Sequence, residues 1–149
     1  VLDWASRKQG GTARNTPDAE LTGLDEATHT SGLVQQEIFE NLLRRPVRLI
    51  AETDNETAVA VVAKGYSRRL CYLRRTQRIS ISGLHDIYHG VADAEEMEPS
   101  DARTLNRLYH LSGDLMSADI LTKLLEPAPH WRHMDALGYV VVPPEWERQ

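Results

Sequence analysis

A run rich in branched apolar residues ends on an acid, and that acid opens a helix. Val47-Arg48-Leu49-Ile50-Ala51-Glu52-Thr53 leads into Asp54-Asn55-Glu56, then into a helical stretch from Thr57 to Lys64 that stops at Gly65. Branched residues favour the pleated, half-buried surface of a strand. A strand followed at once by a helix points to the α/β class, where sites lie at the carboxyl ends of strands. Any neighbouring chemistry is therefore expected around Asp54.

Upstream, Thr16-Pro17-Asp18 reads as a helix start. Thr16 is the expected N-cap, Pro17 the first helical residue, and Asp18 an acid near the positive end of the helix. Leu21, Leu24 and Ala27, then Val34, Ile38 and Leu42, recur at helical spacing. They predict one amphipathic helix, or two in tandem, over 17–43, with Gly32 the expected break and Arg44-Arg45-Pro46 the end. Residues 1–9 read as a short strand. Residues 67–89 read as helical, weakened at Ser80-Ile81-Ser82-Gly83. A loop over 92–101, a strand over 103–111 and a short helix over 115–125 follow. Pro127 and Pro129 frame a linker to a last helix, 130–137, stopped by Gly138. Residues 139–149 read as a tail.

Composition narrows the class. The 149 residues are 41% hydrophobic and 26% charged, which excludes wholesale disorder. No apolar run approaches the roughly 18–20 residues of a membrane span, so no membrane partner is expected. No signal-peptide pattern opens the chain, and an intracellular location is expected. Val1 stands where an initiator Met would be, so the chain reads as a fragment or a processed piece. The one cysteine, Cys71, excludes a disulfide framework and a multi-cysteine zinc site. It is expected as a core thiol. The net charge of −5 means that nucleic-acid binding would need a local basic patch.

Such a patch exists. Lys64, Arg68, Arg69, Arg74, Arg75 and Arg78 fall close together with no acid among them, and Tyr66 and Tyr72 could add stacking. On a helix, 68 with 75 and 74 with 78 would share faces. The other reading is a solvated arginine face. Three acids are candidates to hold a hard cation such as Mg²⁺: Glu20 in the long helix, Asp54 at the strand end, and Asp119 on the short helix. Two such ions can clamp the attacking and leaving oxygens of a phosphoryl transfer. Each acid also has a plain role: Asp54 as an N-cap, Glu20 as a first-turn acid, Asp119 on a solvent face. His85 with His89, and His130 with His133, have helical metal spacing but no third ligand. His110 could shuttle a proton at a strand end, but reads first as a packed or surface histidine. Trp4, Trp131 and Trp146 read as packing residues.

Trp4-Ala5-Ser6-Arg7-Lys8-Gln9 with Thr16-Pro17-Asp18-Ala19-Glu20-Leu21, Thr53-Asp54-Asn55-Glu56-Thr57-Ala58, and Ser117-Ala118-Asp119-Ile120-Leu121-Thr122-Lys123 together resemble the ribonuclease H domain of copia-type LTR-retrotransposon polyproteins. The family's corresponding stretches read W-S-S-K-K-Q, S-T-E-A-E-Y, C-D-N-Q-A-A and L-A-D-I-L-T-K. The resemblance follows the family's order and reaches Gly138. It implies an RNase H-like mixed sheet flanked by helices over residues 1–138, incomplete because the family's first strands lie upstream. It implies two-metal hydrolysis of the RNA strand of an RNA/DNA hybrid, with Glu20, Asp54 and Asp119 as catalytic metal ligands for two Mg²⁺ ions. The basic residues would contact substrate. The family's first acid also lies upstream, Leu21 replaces a usual Tyr, and the segment between Asp54 and Asp119 is longer than usual. The isolated chain is therefore expected to be a marginally stable, inactive partial domain whose partner is the upstream reverse-transcriptase segment. The alternative is a non-catalytic nucleic-acid-binding module of the same fold.

Overall fold

The computed structural model describes residues 12–90, 106–121 and 123–138. The chain divides into two compact units, within 8–111 and 112–138 for the described residues. The expected strand at 1–9, the loop at 92–101, Trp4, Trp146 and the tail lie outside the described residues.

In the first unit, α1 (Thr16–Ala27) passes through a π-helical turn (Thr28–Gly32) into α2 (Leu33–Leu43). The expected break at Gly32 is thus a widened turn in a continuing helix. Its cause is visible in the side chains. Thr28, His29 and Thr30 each bond the carbonyl four residues back, at 2.6, 2.8 and 2.7 Å, and this back-bonding competes with the helix ladder. Gly32 also admits Leu49, whose side chain would lie 3.2 Å from a Cβ there. The cap is Asn15 rather than Thr16: its Oδ1 accepts from the Asp18 amide at 3.0 Å. Arg44 ends α2 in the left-handed region at φ 54°.

Strand β1 covers only Ile50–Thr53 and pairs in parallel with β2 (Arg107–His110). The expected start at Val47 fails because side chains take the backbone groups a longer ladder would use. Gln36 Nε2 donates to the Val47 carbonyl at 2.6 Å, and the Val47 amide donates to Glu40. The Leu49 amide donates to Asn106 Oδ1 at 2.8 Å. Gln36 and Asn106 also bond each other and are both buried.

Helix α3 (Glu56–Lys64) is capped by Asn55, which accepts from the Ala58 amide at 2.9 Å; the N-cap is therefore not Asp54. Gly65 closes it at φ 70°, a conformation glycine adopts without a Cβ penalty. The expected helix over 67–89 is divided. A turn leads to α4 (Leu73–Thr76), and α5 (Ile81–His89) starts at the weak spot because Ser80 caps it through the Gly83 amide. Ile81, Leu84 and Tyr88 put one face of α5 against Ala58 and Val62 of α3. Leu21, Leu70, Leu73, Ile79 and Leu108 complete that core.

In the second unit the expected helix over 115–125 is two 3₁₀ turns, Gly113–Leu115 and Ser117–Leu121. Helix α6 spans Pro127–Ala136, so Pro127 and Pro129 lie in its first turn and do not form a linker. Gly138 follows at φ 76°.

Candidate functional site

The carboxyl end of β1 borders a cleft of about 360 Å³. One wall is α1 and the π turn, through Glu20, Gly23, Leu24, Ala27, Thr28 and Gly32; the other is Leu49, Ala51, Glu52 and Thr53, with Tyr88 beneath. The opposite edge of β1 from β2 carries no strand among the described residues. Arg107 and Leu111 amides donate to the Leu49 and Thr53 carbonyls. Parallel pairing alternates edges, so the backbone groups of Ile50 and Glu52 are those turned to the unpaired side.

Glu20 lies on this cleft, as its place on the long helix suggested. Asp54 follows the strand directly and is exposed, outside the cleft lining. The carboxylate that shares the cleft with Glu20 is Glu52, which the sequence reading passed over. Its signal was its place in the strand, two residues before Asp54. Asp119 belongs to the other unit, where it is nearly buried and its Oδ2 accepts from Lys123 Nζ at 2.8 Å. Among the described residues, no group of three or more His, Cys, Asp or Glu side chains is placed to hold a metal ion. The carboxylate cage that two Mg²⁺ ions require is therefore not complete within either unit's described residues.

A second acid was underestimated. Asp18 is fully buried, and its carboxylate accepts from the Arg14 amide at 2.9 Å, Tyr72 Oη at 3.1 Å and Gln77 Nε2 at 3.0 Å. Desolvation, then the Asp18 carboxylate, raises the Tyr72 hydroxyl above its ordinary 10.0. The Arg14 guanidinium stands 4.9 Å over the Tyr72 ring. Tyr72 is thus committed to the fold, and Asp18 ties the start of α1 to the basic segment.

That segment is not one helix. Lys64 ends α3, Arg68 and Arg69 lie in the following turn, Arg74 and Arg75 sit on α4, and Arg78 adopts φ 61°. The shared faces expected for 68 with 75 and 74 with 78 do not form, because the chain leaves helical geometry on both sides of α4. All six cations are exposed, and none has an ion pair among the described residues. Cys71 is also exposed: its two neighbours Leu70 and Tyr72 turn inward, leaving it outward.

His85 and His89 do share a face of α5, with rings stacked at 5.2 Å. His85 Nδ1 lies 3.0 Å from the Val62 carbonyl. Partial burial, His85 and Arg107 together hold His89 below its ordinary value of 6.5. His110 is exposed at the end of β2, His133 is buried, and Trp131 is exposed with its ring edge against His130. Among the described residues, no helix is long and apolar enough to cross a membrane.

No protein-family model matches the chain, and neither the curated proteins nor the solved structures compared with it give a match. Among the described residues the chain is an α/β protein: a parallel strand pair packed with helices, with a cleft lined in part by Glu20 and Glu52 beside a strand edge that carries no further described strand.

Proposed function

We propose that the chain is an RNase H-like nuclease segment of a copia-type retrotransposon polyprotein, acting on RNA/DNA hybrids. The observation that carries this reading is the meeting of Glu20 with the carboxyl end of β1 at one cleft, beside a strand edge that carries no strand among the described residues. The order of helix, strand, helix and parallel strand agrees with it. So does the run of exposed cations without an ion pair among the described residues, which are suited to phosphates.

By the resemblance, Glu20 and Asp54 would supply carboxylates to Mg²⁺, which when bound supplies an activated water and charge stabilisation at the cleaved phosphodiester. Glu52 is a further carboxylate at the same cleft. A strand added along the open edge of β1 would enter the cleft wall and could bring the remaining acid. The reading therefore requires the upstream segment for activity.

The test is to join this chain to the polyprotein segment that precedes it and measure Mg²⁺-dependent cleavage of a labelled hybrid. Cleavage is expected, with Asp54→Asn and Glu20→Gln each abolishing it while hybrid binding persists. An extended protein that neither binds nor cuts the hybrid would overturn the proposal. Binding without cleavage would favour the second reading, a non-catalytic nucleic-acid module. That reading draws support from the six exposed cations, none of which has an ion pair among the described residues.

A further inference from the structure

The basic segment encloses a hollow of its own. A cavity of about 160 Å³ opens between the turn after α3 and the residues entering α5. Leu70, Ile79 and Ile81 form its apolar lining, and all three are nearly buried. Ser67, Arg74, Ser80 and Ser82 supply polar groups, and Tyr66, 68% exposed, stands at its edge. Arg74 has no ion pair among the described residues, and the same holds for Arg68, Arg69, Arg75 and Arg78, which flank the lining residues in the chain.

A solvated arginine face needs no hollow, and a phosphate track needs no apolar floor. A small apolar floor beside a tyrosine ring, ringed by hydroxyls and an exposed guanidinium, is suited to a planar ring bearing a phosphate. We infer that this cavity receives one unpaired nucleotide of a single strand, with its base against Tyr66 and the aliphatic floor and its phosphate toward Arg74 and the serine hydroxyls. The inference rests on the nucleic-acid reading above and narrows it. A duplex keeps its bases stacked and meets the arginines through phosphates alone, whereas an overhang or a single strand can also fill the cavity. Aromatic stacking tolerates any base, so the site selects strandedness and not sequence.

Cys71 provides the reporter, because it is the only cysteine, is exposed, and lines the cavity. Alkylation of the full chain by a small maleimide is followed with and without oligo-dT of about twelve nucleotides, a length within single-strand site sizes. A blunt RNA/DNA hybrid, inorganic phosphate and anionic phosphatidylserine vesicles serve as comparisons. Oligo-dT is expected to slow alkylation strongly, and the blunt hybrid to bind with little protection. Tyr66→Ala should weaken oligo-dT binding about tenfold, the scale of one lost stacking contact, and leave hybrid affinity unchanged. The protection assay uses the unmodified chain, so it stands even if a variant misfolds.

Equal protection by the hybrid and oligo-dT, with Tyr66→Ala weakening neither, overturns the nucleotide pocket but leaves the basic face as a phosphate contact. Protection by phosphate alone, or by the vesicles, overturns it in favour of a simple anion site or a membrane surface. Absence of binding to either nucleic acid overturns this inference; the proposed function falls only if the extended protein also neither binds nor cuts the hybrid.

Discussion

Thr28 Oγ1 and Tyr88 Oη lie 2.7 Å apart, joining the π turn of the long helix to α5 across 60 positions of sequence. Tyr88 is 1% exposed, and both residues line the cleft beside β1. Burial raises the Tyr88 hydroxyl above its ordinary 10.0, with the bond to Thr28 opposing that shift. One hydrogen bond thus braces the wall that carries Glu20 against α5.

Tyr88→Phe should cost about 1 kcal/mol of stability, the usual net worth of a buried hydrogen bond. Thr28 keeps its bond to the Leu24 carbonyl, so no hydroxyl is left wholly unpartnered. Tyr88→Ala should cost about 3–5 kcal/mol through the cavity it leaves, a large share of a small domain's total. Urea unfolding of the two variants separates the terms. Equal losses would show that the ring contributes nothing beyond its hydroxyl.

Asp18→Ala strips three donors of their acceptor at once. The expected loss is about 3 kcal/mol, because buried groups left unsatisfied carry their desolvation cost. Tyr72→Phe removes one of the three donors and should cost about 1–2 kcal/mol. In the double variant the two losses should fall short of additivity, since the residues share one network. Full additivity in denaturant titrations would disprove the coupling.

Stability should fall on mild acidification, partly through His89. Its folded pKa is depressed below 6.5 by partial burial and by the nearby His85 and Arg107, so protonation is harder in the folded chain than in the unfolded one. The stability this provides is present above pH 6.5 and is lost as pH drops through that value toward the folded pKa. His89→Gln should flatten the change in Tm between about pH 7.5 and 5.5. An unchanged slope would exclude His89 as a contributor.

Asp25 behaves in the opposite sense. Desolvation raises its pKa above 3.8, and His29, at 3.6 Å, offsets this only in part. A carboxyl raised in the fold contributes stability at low pH, lost as pH rises through its folded value. Asp25→Asn should therefore melt higher than the parent chain at neutral pH, with the gain vanishing in acid. A lower Tm at neutral pH would mean that the His29 contact outweighs burial.

Arg44 ends α2 at φ 54°, where a Cβ is unfavourable and glycine is not. Arg44→Gly should stabilise the unit by about 1 kcal/mol. Chemical denaturation checks the sign, and destabilisation would indicate a stabilising role for the arginine side chain.

Local rules made much of the chain legible before any coordinates. Pro17 marked the start of α1, Gly32 its irregularity, and Gly65 the end of α3, because each acts through its own backbone and immediate neighbours. The exchange of Asn15 for Thr16 as cap is a one-residue slip of the same local chemistry. The strand beginning at Val47, the continuous helix through 67–89 and the inward Cys71 were expectations of pattern that tertiary partners overruled. Gln36 and Asn106 claim the backbone around Val47 and Leu49 from 11 and 57 residues away.

The acids divide the same way. Sequence alone determined which residue types stand at the strand end and on the helix. Which carboxylates face one cleft was decided by packing: Glu20 with Glu52 along it, Asp54 outside its lining, Asp18 sealed inward. Spacing along a chain sets the direction of a side chain relative to its own element. Whether it meets solvent, a cleft or three hydrogen-bond donors depends on the elements that fold against it, and those come from distant sequence.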